Sequence, residues 1–176
     1  MGATHRVLAA GAWLAAAPAV GAHGWQAAAG ILPAVAFSAG PTSPDLDNTR
    51  LAKWVDSVIP GPDPFGHRRL AHWWALPALA GAGVWQLPDS LLRVAALAAV
   101  IGWASHLAGD LVFGQGGFGT PQGVPLGPWW WHVGVGVKVG SATETVTRWA
   151  LLPAVAWLAL GQSGQDFVVA VLGHNT

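Results

Sequence analysis

The chain has 176 residues, 53% of them hydrophobic and 9% charged, with zero formal net charge at pH 7 and a mean hydropathy of +0.45. A soluble domain normally carries about a quarter of its residues charged, so this chain cannot coat a globule with polar surface, and the lipid bilayer is its expected solvent. Balanced charge removes the electrostatic case for nucleic acid, and the absence of cysteine excludes disulfides, thiolate zinc sites and cysteine nucleophiles.

Val7 to Val20 is an apolar run entered from Thr4-His5-Arg6, and it breaks at Gly21-Ala22-His23-Gly24. A second run, Trp25 to Ala39, contains Pro33, which a membrane helix tolerates. Each is short for a span of about 20 residues, and together they read as a hairpin of two helices, the first beginning near Thr4. A cleaved signal peptide ending at Val20-Gly21-Ala22 is the alternative for the first run, but it would leave an N-terminus starting directly in another apolar run. Gly40 to Gly66 is polar and rich in Pro and Asp. Inside it Leu51, Trp54, Val55, Val58 and Ile59 follow helical spacing, which predicts a short amphipathic helix on the membrane surface, capped by Asn48 or Thr49 and ended by Pro60-Gly61-Pro62.

From Leu70 to Leu87 the chain is apolar again, with Trp73, Trp74 and Trp85 near its ends. Twelve Trp with no Tyr fit rings placed at headgroup level. Pro88-Asp89-Ser90 predicts a tight turn with Asp89 or Ser90 as the cap of the best spanning candidate, Leu91 to Phe113. Gly114 to Gly127 is Gly-rich and expected to lack regular structure, Trp129-Trp130-Trp131 reads as an interfacial plug, and a last run from Val146 to Leu172 is long enough to cross once. The expected fold is therefore all-α: a polytopic transmembrane bundle of about five apolar helices plus the amphipathic one. It forms a single integral-membrane domain over residues 1–176, without internal repeats.

An N-terminus in the cytoplasm, two crossings to Gly40, two more to Asp110 and a final one put the C-terminus outside. That path makes Arg6, Arg50, Lys53, Arg68, Arg69, Lys138 and Arg148 cytoplasmic and leaves Arg93 alone at the opposite end, as the positive-inside rule asks. It also gathers His5, Asp45, Asp47, His67, His72, His106 and Asp110, from four segments, on one side of the bilayer. His106 and Asp110, four apart in a helix, share a face. Ionisable groups at helix ends in so charge-poor a chain are costly unless they face a common polar pocket, so convergence on one site is expected. Each has an ordinary reading as well. Asp45 and Asp47 suit a turn or cap, His5 a chain terminus, and Arg68 and Arg69 contact with headgroups. His67 and His72 stand about 140° apart on a regular helix and converge only if His67 precedes it.

Five motifs in order carry a resemblance. They are Thr4-His5, Pro44-Asp45-Leu46-Asp47, His67-Arg68-Arg69-Leu70-Ala71-His72-Trp73, Ser105-His106-Leu107-Ala108-Gly109-Asp110 and Thr120-Pro121-Gln122-Gly123. The sequence resembles the LexA-regulated, membrane-bound metal-dependent hydrolase family of bacterial inner membranes over residues 4 to about 128. In the third motif Arg69, Ala71 and Trp73 replace the Gly, Thr and Ser of that pattern, which removes hydroxyls able to orient ligands.

The resemblance implies metal-assisted hydrolysis of a phosphoester or lipid-type substrate at the cytoplasmic membrane face. Imidazole and carboxylate donors without thiolate suit one or two ions of Zn²⁺ or Mn²⁺. His67, His72, His106 and Asp110 are then the expected metal core, completed by His5 and by Asp45 or Asp47. One loop aspartate acts as general base, and Arg68 neutralises a phosphate. The membrane lipid is the expected partner. Rival readings are a pocket that binds metal without chemistry, in a transporter-like or structural protein, and a set of residues that only anchors topology.

Overall fold

A computed structural model describes residues 2–39, 42–45, 54, 57–58, 70–113, 124–125, 132–134, 137 and 140–172. Five α-helices account for nearly all of it: α1 (Gly2–Ala16), α2 (Trp25–Ala39), α3 (Ala75–Trp85), α4 (Leu91–Phe113) and α5 (Ala142–Leu172). Short 3-10 turns over Ala17–Val20 and Leu70–His72 precede the α1–α2 connection and α3.

The break after α1 follows from local chemistry. Pro18 sits at the start of the 3-10 turn, and Gly21 closes it with φ 76°, a left-handed conformation that residues with a Cβ adopt at a cost. The chain reverses into α2, which runs through Pro33 without ending. At the next hairpin Ser90 Oγ accepts a hydrogen bond from the Arg93 N–H at 3.2 Å and so caps α4. Asp89 pairs with Arg93, whose guanidinium also lies over the Trp85 ring at 4.8 Å.

The core lies where α1, α2 and α4 meet, and small residues set its spacing. His5, Ala9 and Trp13 line one face of α1 at four-residue intervals, and Ala27, Gly30, Ala34 and Ser38 line the facing side of α2. Trp13 lies over Gly30 and donates its indole N–H to the Ala27 carbonyl at 2.6 Å, so the largest buried side chain also has its one donor satisfied. Gly102 of α4 stands directly against the Ala34 backbone. Large apolar side chains such as Leu32, Leu79, Leu92, Trp157 and Leu160 point outward. An exterior of this kind belongs in an apolar solvent.

Several expectations need revision. The run from Leu70 to Leu87 yields a helix only over Ala75–Trp85. Pro77 has no N–H for the Trp73 carbonyl, which takes a shorter bond from Leu76 at 3.0 Å, and the Ala71 carbonyl accepts from the Trp103 indole instead. At about 1.5 Å per residue, α3 covers roughly half of a hydrocarbon core of about 30 Å. Among the described residues α4 is the one helix long and apolar enough to cross a membrane, while α2 and α3 are shorter apolar helices. The last helix begins at Ala142, four residues before Val146, because Ser141 caps it and Glu144 accepts from the Gly140 N–H at 2.7 Å. Val124–Pro125, inside the Gly114 to Gly127 segment expected to lack regular structure, pairs antiparallel with His132–Val133 beyond it. Of the amphipathic helix only Trp54, Ser57 and Val58 are described, all three exposed. Its caps and Trp129-Trp130-Trp131 lie outside the described residues.

Replacing Gly102 with Val drives a side chain into the Ala34 backbone. The expected cost is about 1–3 kcal/mol or more, read as a lowered Tm of the detergent-purified protein. Gly83→Ala meets nothing within 4 Å and is expected to stabilise α3 by about 0.5–1 kcal/mol.

Candidate metal centre

Four segments deliver five ionisable side chains to one end of the core: His5 from α1, Asp45 from the loop after α2, His72 from the 3-10 turn before α3, and His106 and Asp110 from α4. His72 Nε2 lies 3.3 Å from His106 Nε2, 3.4 Å from Asp110 Oδ2 and 3.5 Å from Asp45 Oδ1. His106 Nε2 lies 3.5 Å from Asp110 Oδ2 and 3.7 Å from Asp45 Oδ1. His5 Nε2 lies 3.5 Å from Asp110 Oδ1, and its ring stacks on His106 with centroids 4.3 Å apart. His5, His72, His106 and Asp110 are buried, whereas the Asp45 side chain is 45% exposed and forms the open edge.

Backbone groups orient these rings. His106 Nδ1 is 2.6 Å from the Ser38 carbonyl, which can only accept, so that nitrogen carries a proton and Nε2 faces the cluster. Ser38 also donates its hydroxyl to the His5 carbonyl at 3.0 Å, tying α1 to α2 at the same level. Room for His5 comes from Gly109, where a Cβ would stand 2.6 Å from the imidazole Nδ1. Trp103 holds the turn carrying His72 against α4. The hydrogen bond from His72 keeps the Asp45 carboxyl below the usual carboxylate range, against the opposing effect of its burial.

The donor set fits a divalent cation. Two groups of three, His5 with His106 and Asp110, and Asp45 with His72 and His106, could each hold an ion. Ligands about 2.0–2.1 Å from a tetrahedral centre stand about 3.3–3.4 Å from one another. The contacts around His72 and His106 run from 3.3 to 3.7 Å. His5 Nδ1 has no hydrogen-bond partner among the described residues. Nitrogen lone pairs and carboxylate oxygens this close, in an apolar interior, need protons or a cation between them.

Of the seven ligands expected from sequence, His5, Asp45, His72, His106 and Asp110 come together. Asp47 and His67 lie outside the described residues, as do Arg68 and Arg69. His72 sits on an irregular turn, so spacing on a regular helix does not govern its direction. Sequence reading passed over Glu144, which is buried and accepts a 2.6 Å hydrogen bond from Thr4, the neighbour of His5. Its signal was the capping pattern Ser141-Ala142-Thr143-Glu144. Ser38 and Gly109 were passed over too, because their roles depend on a neighbouring helix.

An all-helical protein with an apolar exterior and a buried histidine and carboxylate cluster at one end of its core belongs with small membrane proteins. The family assignment agrees: the chain belongs to the YdjM inner membrane protein family, which matches residues 1–173. No curated protein and no solved structure matches it.

Steric coupling between α1 and α4 at the cluster is measurable. Gly109→Ala is expected to destabilise by about 1–3 kcal/mol through its clash with His5. In a double-mutant cycle, His5→Ala should relieve part of that cost, giving a combined loss smaller than the sum of the two.

Proposed function

We propose that this protein is a metal-dependent hydrolase of the bacterial inner membrane, acting on a phosphoester or lipid-type substrate at the cytoplasmic face. The observation that carries the reading is the convergence of His5, Asp45, His72, His106 and Asp110, with neighbouring donor atoms 3.3–3.7 Å apart. Only 9% of the chain is charged, and a membrane protein does not bury such a set without use for it.

His72, His106 and Asp110, with His5 and Asp45 at the sides, would hold Zn²⁺ or Mn²⁺, ions that imidazole and carboxylate donors suit. A bound ion of this kind lowers the pKa of its water and polarises a phosphoryl oxygen. The chain's own residues do the rest. Ser38 fixes the His106 tautomer, and the packed helices keep bulk water from the inner ligands. Asp45, ionised at neutral pH and on the open edge, is the group placed to take a proton from an attacking water. Asp47 is proposed as a further metal ligand and Arg68 as the group that neutralises the phosphate.

Near-complete burial of His5, His106 and Asp110 favours a second reading, in which the ion only ties α1 to α4. The two readings part on activity. Detergent-purified protein should contain stoichiometric Zn²⁺ or Mn²⁺ by plasma mass spectrometry, and His106→Ala and Asp110→Ala should each lose most of it. The hydrolase reading further requires the purified protein to release phosphate from phosphatidic acid, and both variants to lose that activity by more than about tenfold. Metal without turnover would leave the structural ion.

The proposed membrane path is a polytopic bundle with a cytoplasmic N-terminus and the C-terminus outside. A reporter fused after Asn48 is expected to report cytoplasm and one fused after Asp89 the outside. The same side for both would reject this path.

A further inference from the structure

A second feature lies beside the cluster. α3 and α4 form an antiparallel hairpin that is tight near its turn, where a Cβ on Gly81 would stand 3.3 Å from Val100. Towards the cluster the hairpin carries an apolar groove of about 470 Å³. Its walls are Trp74 and Ala78 on one side and Ala104, Ala108 and Leu111 on the other, with the buried Leu107 beneath. Three of its lining residues, Ala78, Ala104 and Ala108, are alanines. The volume falls within the range of about 300–1,000 Å³ typical of small-molecule sites.

Its position distinguishes this groove from the outward-facing apolar surface elsewhere. Leu107 and Leu111 each follow a cluster residue, His106 and Asp110, so groove and cluster occupy the same turns of α4 on neighbouring faces. At the far wall Trp74 stands two residues after His72, on the turn that Trp103 fixes to α4. Both walls of the groove therefore continue, within two residues, into ligating side chains.

We propose that the groove between α3 and α4 seats one hydrocarbon chain of a phosphoester lipid whose headgroup is presented to the His5, Asp45, His72, His106 and Asp110 cluster. The inference rests on the hydrolase reading and names its substrate as a lipid carrying a long chain. A lipid tail gains little by leaving other tails for an apolar groove. The benefit is register: a chain held between Trp74 and Ala108 fixes the depth at which the phosphate meets the cluster, which contributes orientation rather than affinity.

Two measurements on the full-length protein in mixed micelles test this. Hydrolysis of dioleoyl phosphatidic acid is compared with that of glycerol phosphate, which has the same phosphomonoester and no chain. Ala108→Phe, which fills the groove, is expected to lower the ratio of the two kcat/KM values by about tenfold or more, and Leu92→Phe, at the opposite end of α4, to leave it unchanged. In parallel, phosphatidic acid with a diazirine on one acyl chain is photolysed with each protein and the adducts are mapped by mass spectrometry. Adducts should concentrate on Trp74, Ala78 and Ala104 in the natural chain and fall about fivefold or more in Ala108→Phe at equal metal content. An unchanged ratio, or adducts spread evenly over outward residues such as Leu79 and Leu160 and insensitive to Ala108→Phe, overturns the groove. If neither substrate is hydrolysed the hydrolase reading fails, and the adduct pattern alone then decides whether the groove holds a chain.

Discussion

Taking an aspartate and three imidazoles out of water, in a chain with few polar groups to spare, is the constraint to which the rest of the architecture answers. A carboxylate such as Asp110 in an apolar interior must be protonated, paired or coordinated, because its solvation loss otherwise exceeds what packing returns. The structure meets this by aiming His5, His72, His106 and Asp110 at the same small volume. His106 is oriented by the Ser38 carbonyl, His5 is set between α1 and α4 by the bare backbone at Gly109, and His72 is pinned by Trp103. The helices are placed where their carbonyls and small residues serve that volume.

The small residues explain how. Close approach of two helix backbones needs Gly, Ala or Ser at the contact, and in lipid such contacts also supply much of the packing energy. Gly102 against Ala34 brings α4 onto α2, and Gly30 beneath Trp13 brings α1 onto α2. Those contacts fix the spacing at which, one to two turns further along, Ser38 reaches both His5 and His106. A glycine in the apolar middle of α4 and a histidine at its polar end are thus parts of one arrangement. α5 joins through Thr4 and Glu144, which fastens the start of α1 beside the ligand His5.

Between α3 and α4, beside the cluster, small side chains line a groove in place of a closed contact. The α3 side of the groove begins at Trp74, just after the turn that Trp103 holds to α4 through the Ala71 carbonyl.

Composition and periodicity were enough to determine that the chain is helical, apolar outside and built from runs ending near Ala39 and Phe113. The polar residues at the cluster end were identifiable because ionisable side chains are so few. His106 and Asp110 needed only the four-residue repeat of a helix. Tertiary structure decided what periodicity cannot express: that α3 starts at Ala75, since Pro77 has no N–H for the Trp73 carbonyl and Trp103 occupies the Ala71 carbonyl, and that α5 starts at Ala142, with Glu144 turned onto Thr4. It also decided that Ser38 and Gly109 matter. A backbone carbonyl leaves no mark on a sequence, and the missing Cβ of a glycine acquires meaning only when another helix comes within reach.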